Sequence, residues 1–252
     1  MKKAVFVTVR TSSSRLLKKA LLEICGKKTI EYVIERAKKS AEKDIVVLCT
    51  STNKEDDVLV DIAKKHSIQF FRGSEKDKLG RWSGAARKFG VDFFVTADGD
   101  DLLYDPELMD LAFKQSERTK ADFIEAGSEV ICGAFTYGIK SDALYKVCGI
   151  KDTDDTEMMW VYFKDTGLFK VEKLECDSVF KRGDIRLSMD YPEDFVFFKT
   201  VFKHFKGKYF NVRDVIKYLD RNPDVIKING FRLVDWAKNQ RKKTKLVLKG
   251  EK

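Results

Sequence analysis

Residues 4–21 read AVFVTVRTSSSRLLKKAL, an apolar stretch that gives way at once to a basic, hydroxyl-rich one. The first six residues are uncharged and rich in valine, which is typical of a strand buried on both faces of a parallel sheet. Arg10, three serines, Arg15 and Lys19 follow directly. The stretch therefore predicts a first strand that ends either in a polyanion-binding loop or in a solvated turn before a basic helix face.

The same alternation continues through the first hundred residues. Apolar runs predict further strands at 44–51, 68–74 and 92–101, and amphipathic patterns predict helices at 29–41, 54–67 and 79–90. This order predicts an α/β fold with a doubly wound, mostly parallel sheet. Such sheets bind ligands at the carboxyl ends of their strands. The four strands end in RTSSSR, CTSTN, FRGS and ADGDD, so four polar clusters should converge on one edge.

The second half of the chain is less regular. A helix is predicted near 105–117, and apolar stretches near 122–139 and 168–175 are predicted to extend the first sheet. Within residues 185–205, IRLSM has the character of a strand, and Asp190 follows it. The acid before Pro192 and further acids is typical of a helix start.

Composition limits the classes of protein. The 252 residues carry a net charge of +9, which suits anionic partners, but the lysines are mostly scattered except in the tail KNQRKKTKLVLKGEK. Five cysteines without a CxxC pair, and no visible signal peptide, predict a reduced, cytoplasmic setting. No apolar run is long enough for a membrane span. Two histidines disfavour zinc, so a metal would be a hard ion such as Mg²⁺, held by carboxylates.

Carboxylates follow two of the predicted strands. Asp98, Asp100 and Asp101 crowd together after the fourth strand, where like charges repel unless a cation screens them. With Asp190 they could hold one Mg²⁺ against a triphosphate. The alternatives are an acidic turn that opens the next helix, with Asp101 or Asp105 as its cap, and a simple helix N-cap at Asp190.

Cations surround the same predicted edge. Lys19 is well placed for an α-phosphate, where negative charge builds during nucleotidyl transfer. Arg72, Ser74 and Arg81 could bind a base, a carboxylate or a phosphate, or could be solvated residues of a strand-to-helix turn. The loop lacks the glycines of a P-loop or a dinucleotide-binding fingerprint.

These motifs, in this order, resemble one family. They are RTSSSRLLKK (10–19), the stretch TSTNKEDDVLVDIAKKHSIQFFRGSEKDKLGRW (50–82), ADGDDLLYDPELMD (97–110), IRLSMDYPEDF (185–195) and NPDVIKING (222–230). The chain resembles the cytidylyltransferases of spore-coat polysaccharide biosynthesis, relatives of the acylneuraminate and Kdo cytidylyltransferases. The resemblance covers most of residues 4–230 and keeps both the order and the spacing of the motifs.

The resemblance implies a nucleotide-diphospho-sugar transferase-like (GT-A-like) fold. A nucleotidyltransferase domain would span 1–230, with a small second-half insertion near 130–185 that could mediate homodimerisation, a helical C-terminus, and a basic tail at 231–252. It also implies an Mg²⁺-dependent reaction of CTP with a sugar, of the acidic eight- or nine-carbon kind, that releases pyrophosphate for surface polysaccharide synthesis. Nucleic acid would not be a partner.

Matched onto this chain, the family pattern assigns roles. Arg15 and Lys19 would be catalytic, Asp100 and Asp190 would hold Mg²⁺, and Glu157 would face the acceptor. The nucleotide would be bound by a larger group: Arg10, Ser12, Ser13, Arg72, Ser74, Arg81 and Asp98.

Three positions depart from the family pattern. Ser12 stands where the loop usually has glycine, Leu17 where it has proline, and Asp98 adds an acid before the Gly-Asp pair. A serine limits how closely backbone approaches phosphate, so an altered nucleotide preference, a different acceptor or an inactive homologue are alternatives. The presence of the charged residues Arg15, Lys19, Asp100 and Asp190 favours an active enzyme.

Two other classes compete with this interpretation. A nucleotide-sugar glycosyltransferase could use Asp98-Gly99-Asp100 as its Asp-x-Asp metal site, although a diphosphate donor has less need of the basic loop. A nucleic-acid-binding module would explain the net charge and the tail. The acids at the predicted ligand edge would, however, repel a phosphate backbone unless a metal intervened.

Overall fold

The computed structural model describes residues 1–12, 15–206 and 208–250. The strands are β1 Lys3–Thr8, β2 Glu23–Ile24, β3 Lys27–Lys28, β4 Ile45–Ser51, β5 Gln69–Gly73, β6 Phe93–Asp98, β7 Phe123–Glu125, β8 Tyr137–Lys140 and β9 Val171–Lys173. The helices are α1 Thr29–Lys39, α2 Asp57–Lys65, α3 Lys78–Phe89, α4 Pro106–Thr119, α5 Ser141–Ile150, α6 Val161–Lys164, α7 Pro192–His204, α8 Val212–Arg221, α9 Pro223–Lys227 and α10 Arg232–Lys243.

Seven of these strands form one sheet, in the order β5-β4-β1-β6-β8-β7-β9. Neighbours in this sheet pair in parallel except where β8 meets β6 and β7, so among the described residues β8 is the one strand of this sheet that runs antiparallel. β2 and β3 form a separate short hairpin. The predicted doubly wound, mostly parallel sheet is confirmed.

Alternate residues of β1 divide the core between the two faces of the sheet. Val5 and Val7 belong to a cluster that α1, α2, α4, α7 and α8 cover. Ala4 and Phe6 belong to a second cluster, with Trp82 of α3 and residues of α5 and α6. Because both faces are covered by helices, the central strands are apolar throughout, as residues 4–9 predicted.

The register aligns the strand ends. Thr8 pairs with Cys49 of β4 and with Asp98 of β6. The loops that follow β1, β4 and β6 therefore leave the sheet side by side. β6 ends at Asp98, three residues before the predicted end, because the Asp101 amide donates to the Asp98 carbonyl at 3.0 Å and closes a turn.

The predicted strand IRLSM is wrong. Residues 185–189 are extended but form only an isolated bridge, between Arg186 and Cys132. The Leu187 amide donates to the Cys132 carbonyl at 2.7 Å, and the Met189 amide donates to the Asp100 carbonyl at 2.9 Å. This segment follows two different loops, which leaves it outside any ladder but holds Asp190 beside Asp100.

None of the helices in the three described ranges has the length and apolar character needed to cross a bilayer.

Candidate active site

A cavity of about 1290 Å³ lies at the carboxyl ends of the central strands. Its wall includes nine of the side chains that the sequence singled out, namely Arg10, Ser12, Arg15, Lys19, Arg81, Asp98, Asp100, Glu157 and Asp190. Ser13, a predicted nucleotide-binding residue, lies outside the described residues. The predicted convergence of polar clusters thus brings together residues up to 180 positions apart in the chain.

The basic loop is held at its start by a buried acid, Asp56. Its Oδ1 accepts from the backbone amide of Thr11 at 2.8 Å and from the Thr11 hydroxyl at 2.7 Å. Its Oδ2 accepts from the hydroxyls of Thr50 and Ser51, at 3.0 and 2.5 Å, at the end of β4. Burial would raise the pKa of the Asp56 carboxyl, but these hydrogen bonds lower it, so the loop is anchored by a charged acceptor.

Glu75 fastens the same loop from the other side. Its carboxylate accepts from the Ser12 hydroxyl at 3.0 Å and from the Asn53 amide at 2.8 Å. Its backbone carbonyl accepts from Arg10 Nη1 at 2.7 Å and from Arg81 Nη1 at 3.2 Å. Ser12, which departs from the family glycine, is therefore engaged with the segment that follows β5.

Lys19 is aimed by a short 3-10 turn, Lys19–Leu21. Lys18 before it adopts a left-handed backbone conformation with φ 48°, and the Lys19 carbonyl accepts from the Thr29 hydroxyl at 2.5 Å. The Lys19 ammonium lies between two carboxylates, 2.5 Å from Asp100 Oδ2 and 2.9 Å from Asp190 Oδ1. Burial would lower the pKa of Lys19, but the two carboxylates raise it, so the ammonium stays charged.

Asp190 is surrounded by cations. Arg15 Nη2 shares Asp190 Oδ1 with Lys19, at 2.7 Å, and Arg186 Nη2 binds Oδ2 at 2.9 Å. Burial would raise the pKa of the Asp190 carboxyl, but Lys19 and Arg15 lower it far below its usual range. Asp190 is thus an ionised carboxylate in a fixed orientation.

Arg186 is itself held in place, and its side chain is fully buried. Its Nε donates to Asp194 Oδ1 at 3.0 Å, and Asp194 Oδ2 accepts from the backbone amides of Asp190 and Tyr191 at 2.8 and 2.9 Å. Asn229 Nδ2 also donates to Asp194, at 2.9 Å. We call Arg186, Asp190 and Asp194 the arginine clamp.

Residues 98–101, which we call the acidic turn, contrast with Asp190, because their carboxyl groups lie mainly beside other acids and not among cations. Burial raises the pKa of the Asp100 carboxyl, and the charges of Asp190 and Asp98 raise it further, against the effect of Lys19. Burial also raises the pKa of Asp101 well above its usual range, together with the charges of Asp100 and Asp98. Asp98 pairs with Lys78 at 3.0 Å. The charged forms of these carboxyl groups therefore repel one another, and Lys19 and Lys78 are the cations that pair with them among the described residues.

The donor set fits a divalent cation. Two carboxylates from distant parts of the chain already share one positive charge, the ammonium of Lys19. Oxygen ligands and incomplete protein coordination suit Mg²⁺, which usually keeps waters and binds substrate phosphates. Within the described ranges, no group of three or more His, Cys, Asp or Glu is arranged to hold a metal. Asp100 and Asp190 would therefore need phosphate or water ligands to complete the site.

The other predicted residues differ in whether they line the cavity. Arg81 lines the cavity and is buried, with its Nη1 on the carbonyls of Ser74 and Glu75 and its Nε without a partner among the described residues. Arg72 is not in the cavity wall, because it binds the Ser51 carbonyl at 2.9 Å and Asp57 at 2.6 Å.

Ser74 is also outside the cavity wall, and its hydroxyl accepts from the Asp77 amide at 3.1 Å. Glu157 does line the cavity, where it faces Lys243 of α10 at 3.5 Å. The structure thus groups the predicted triphosphate, metal and acceptor residues, but leaves Arg72 and Ser74 as neighbours of the site.

Sequence reasoning missed three contributors. Asp56 lies within the predicted helix 54–67, and no local signal marks its hydrogen bonds to Thr11. Arg186 had a signal, because it lies four residues before Asp190 in an otherwise apolar segment. Helix α10 was treated as part of a tail, although Trp236 within its basic sequence indicates a contact surface.

The chain is similar in sequence to known proteins over most of its length. Residues 4–165 match the family model for cytidylyltransferases. An uncharacterized protein of Methanocaldococcus jannaschii is 32% identical over 231 residues, which are 91% of this chain and 95% of that protein. The spore coat polysaccharide biosynthesis protein SpsF of Bacillus subtilis is 26% identical over 228 residues, 86% and 94% of the two chains.

Solved structures agree on the fold. A cytidylyltransferase from Leptospira borgpetersenii superposes with a TM-score of 0.82 at 26% identity, covering 90% of this chain and 97% of that one. A CMP:2-keto-3-deoxy-manno-octonic acid synthetase complexed with CTP superposes with a TM-score of 0.61 at 14% identity, over 81% and 99%. The predicted nucleotide-diphospho-sugar transferase fold is confirmed. With its family model matched over more than half of its length, the chain belongs to the cytidylyltransferases, a family of nucleotidyltransferase enzymes.

Proposed function

We propose that the protein transfers CMP from CTP to a hydroxyl of an acidic eight- or nine-carbon sugar, with Mg²⁺, and releases pyrophosphate. The observation that carries this proposal is the position of Lys19. Its ammonium lies between Asp100 and Asp190, at the end of a basic loop and in a cavity large enough for a nucleotide and a sugar. Charge of both signs at one point is what a metal–triphosphate complex requires.

The residues of the chain act by position and charge. Asp100 and Asp190 would hold Mg²⁺, which when bound neutralises phosphate charge and orients the triphosphate. Lys19 and Arg15 would then pair with phosphate oxygens and stabilise the negative charge that builds at the α-phosphate. Arg10 and Ser12 would bind the outer phosphates. The sugar hydroxyl attacks the α-phosphorus and loses its proton to water, the bond between that phosphorus and the oxygen bridging to the β-phosphate breaks, and pyrophosphate leaves.

Support for a sugar acid as acceptor comes from relatives. A 3-deoxy-manno-octulosonate cytidylyltransferase of Chloroherpeton thalassium is 30% identical over 114 residues, about 45% of either chain. Glu157 and Lys243 lie in the cavity wall and would contact the sugar. Surface polysaccharide synthesis, the 1–230 domain boundary, the homodimer through 130–185 and the cytoplasmic setting remain predictions.

The decisive experiment is a pyrophosphate-release assay with each nucleoside triphosphate, Mg²⁺ and a panel of acidic sugars. We expect release with CTP, dependence on Mg²⁺ that EDTA abolishes, and a higher melting temperature with CTP. The protein would be an inactive homologue if it bound CTP without turnover. The absence of both pyrophosphate release and a CTP-induced rise in the melting temperature would contradict the proposal. Hydrolysis of a sugar nucleotide instead would favour a glycosyltransferase.

A further inference from the structure

Helix α10 forms one side of the cavity. Six of its residues line it, at the spacing of one helix face: Leu233, Trp236, Ala237, Asn239, Gln240 and Lys243. No residue of α10 is buried. Leu233 and Trp236 are half-buried, and the guanidinium of Arg186 lies 5.9 Å from the centroid of the Trp236 ring. A helix face with a tryptophan and a leucine that lines a cavity is suited to a ligand.

Helix α10 is fixed beside the arginine clamp at two positions, Arg232 and Asn239. Arg232 Nη2 pairs with Glu193 Oε1 at 2.9 Å, and the Asn239 amide donates to the Tyr191 hydroxyl at 2.9 Å. Tyr191 and Glu193 come directly after Asp190. The helix is thereby set at a defined position relative to the proposed metal carboxylates.

The segment after α10 is fixed to the far side of the cavity. Lys243 faces Glu157 at 3.5 Å. The Asp152 amide donates to the Val247 carbonyl at 2.9 Å, and the Lys249 amide donates to the Ile150 carbonyl at 2.9 Å. The C-terminal segment is therefore tied down at both ends of its helix, with the cavity between.

The polar groups on this face have capacity to spare. The indole N–H of Trp236 and the side-chain amide of Gln240 make no hydrogen bond within the described residues, and Lys243 has Glu157 as a loose ionic partner. An aromatic face, a free amide and a cation together suit a polyhydroxylated ligand that bears a carboxylate. A second nucleotide phosphate would not need the indole.

The two walls of the cavity come from different halves of the chain. The loops after β1, β4 and β5 build the triphosphate side, whereas the ties of α10 are to residues 150–157 and 191–193. In nucleotidyl transfer, the acceptor must approach the α-phosphorus opposite the departing pyrophosphate. The second-half wall is the one left for it.

We infer that α10 is the acceptor-binding wall, and that Trp236, Gln240 and Lys243 determine which sugar acid the enzyme accepts. Lys243 would exchange Glu157 for the carboxylate of the sugar. The inference rests on the proposed function but goes beyond the matched family region, which ends at residue 165. It also gives the basic C-terminal sequence a role other than binding nucleic acid.

The test uses the full-length protein, CTP, and two probe acceptors, 3-deoxy-manno-octulosonate and N-acetylneuraminate, each as the free acid and as its methyl ester. In Lys243→Met we expect the KM for the free acid to rise about tenfold or more, since a charge-assisted hydrogen bond is lost. The KM for the ester should stay within about twofold, because the ester never had the ionic contact. The KM for CTP should not change.

Trp236→Leu and Gln240→Ala should raise the KM for acid and ester alike, again without affecting CTP. Val234→Ala is the matched control, because Val234 is exposed on α10 and does not line the cavity. Retained acid-over-ester discrimination in Lys243→Met, or a raised KM for CTP in place of the sugar, would overturn the inference while the proposed function stands. A wild-type protein that releases no pyrophosphate from CTP with any acidic sugar of the panel would overturn both.

Discussion

The two carboxylates proposed to hold a metal sit in opposite surroundings. Asp190 belongs to the arginine clamp, where Arg15, Lys19 and Arg186 all bind it. Asp100 belongs to the acidic turn, where Lys19 is its one cationic partner among the described residues, and burial together with the nearby acids raises its pKa. One carboxylate is ionised and fixed by the fold, whereas the other is held against repulsion.

This difference indicates how a site can be both stable and ready for a cation. The arginine clamp supplies an ionised carboxylate, that of Asp190, before any metal ion binds. The acidic turn crowds carboxyl groups whose charged forms repel one another, so its charged form gains most when a cation binds. Lys19 contacts both regions, and its ammonium lies between Asp100 and Asp190, where a positive charge is stabilised.

The largest expected effect is on the clamp. Among the described residues, Asp194→Ala leaves the fully buried Arg186 with one carboxylate partner, Asp190, and removes the acceptor of two backbone amides. We expect the free energy of unfolding to fall by about 3–5 kcal/mol, the usual cost of breaking a buried ion pair. Urea denaturation measures it.

Asp184→Ala is the control for that variant, because it breaks an Arg–Asp pair that is exposed, Arg182–Asp184 at 2.9 Å. Its loss should be at most about 1 kcal/mol. Equal losses in the two variants would show that burial does not distinguish the clamp from an ordinary surface pair.

The second expected effect separates activity from stability. Asp190→Asn and Asp100→Asn should each lower kcat by about 100- to 1000-fold, as expected when one charge-stabilising group is lost. Asp190→Asn should also lower the free energy of unfolding by about 2–3 kcal/mol, because three cations lose their shared anion. Asp100→Asn should change it by less than about 1 kcal/mol, since relief of repulsion offsets the lost contact with Lys19.

Kinetics and urea denaturation of the same two preparations test this prediction. Full activity in either variant would rule out a site built on both carboxylates. A larger loss of stability in Asp100→Asn than in Asp190→Asn would reverse the assigned electrostatics of the two regions.

Local pattern was enough to predict the sheet and the position of the site. Each of β1, β4, β5 and β6 is a short, mainly apolar run, and its carboxyl end is determined by topology, so Asp100 could be placed beside the basic loop. Asp190 was predicted at the same edge on two grounds, the apparent strand IRLSM before it and the resemblance to a family. The strand proposed to carry it does not exist, and IRLSM is apolar because it is buried between loops.

Contacts between distant segments could not be predicted in this way. Asp56 binds Thr11 across 45 residues, and Asn229 binds Asp194 across 35. In the sequence each is an ordinary polar residue near a helix end. Arg72 shows the opposite error, because its place after a strand indicated a ligand contact, while its guanidinium is satisfied by Ser51, Asn53 and Asp57.

The contrast between a cation-bound acid and a buried acid recurs outside the site, where it can be tested without affecting catalysis. Burial would raise the pKa of Glu31, but hydrogen bonds from Lys65 and His66 lower it to about 2. Burial raises the pKa of Asp105, which caps α4 and has no ion pair among the described residues, against the effect of two backbone amides. The two acids should therefore give opposite pH dependence.

Because the pKa of Glu31 is lower in the folded state, its stabilisation is present above its ordinary value of 4.5 and is lost as the pH falls toward 2. Glu31→Gln should lower the free energy of unfolding by about 2 kcal/mol at pH 7, a value reduced by the exposure of Lys65, and should match wild type near pH 2.

For Asp105 the sign is reversed, so the stability of Asp105→Asn relative to wild type should rise as the pH increases above 4. Urea denaturation at pH 2.5, 4, 5.5 and 7 measures both slopes. Parallel slopes would mean that ion pairing does not set the behaviour of buried acids in this protein, and the distinction between clamp and acidic turn would lose its electrostatic basis.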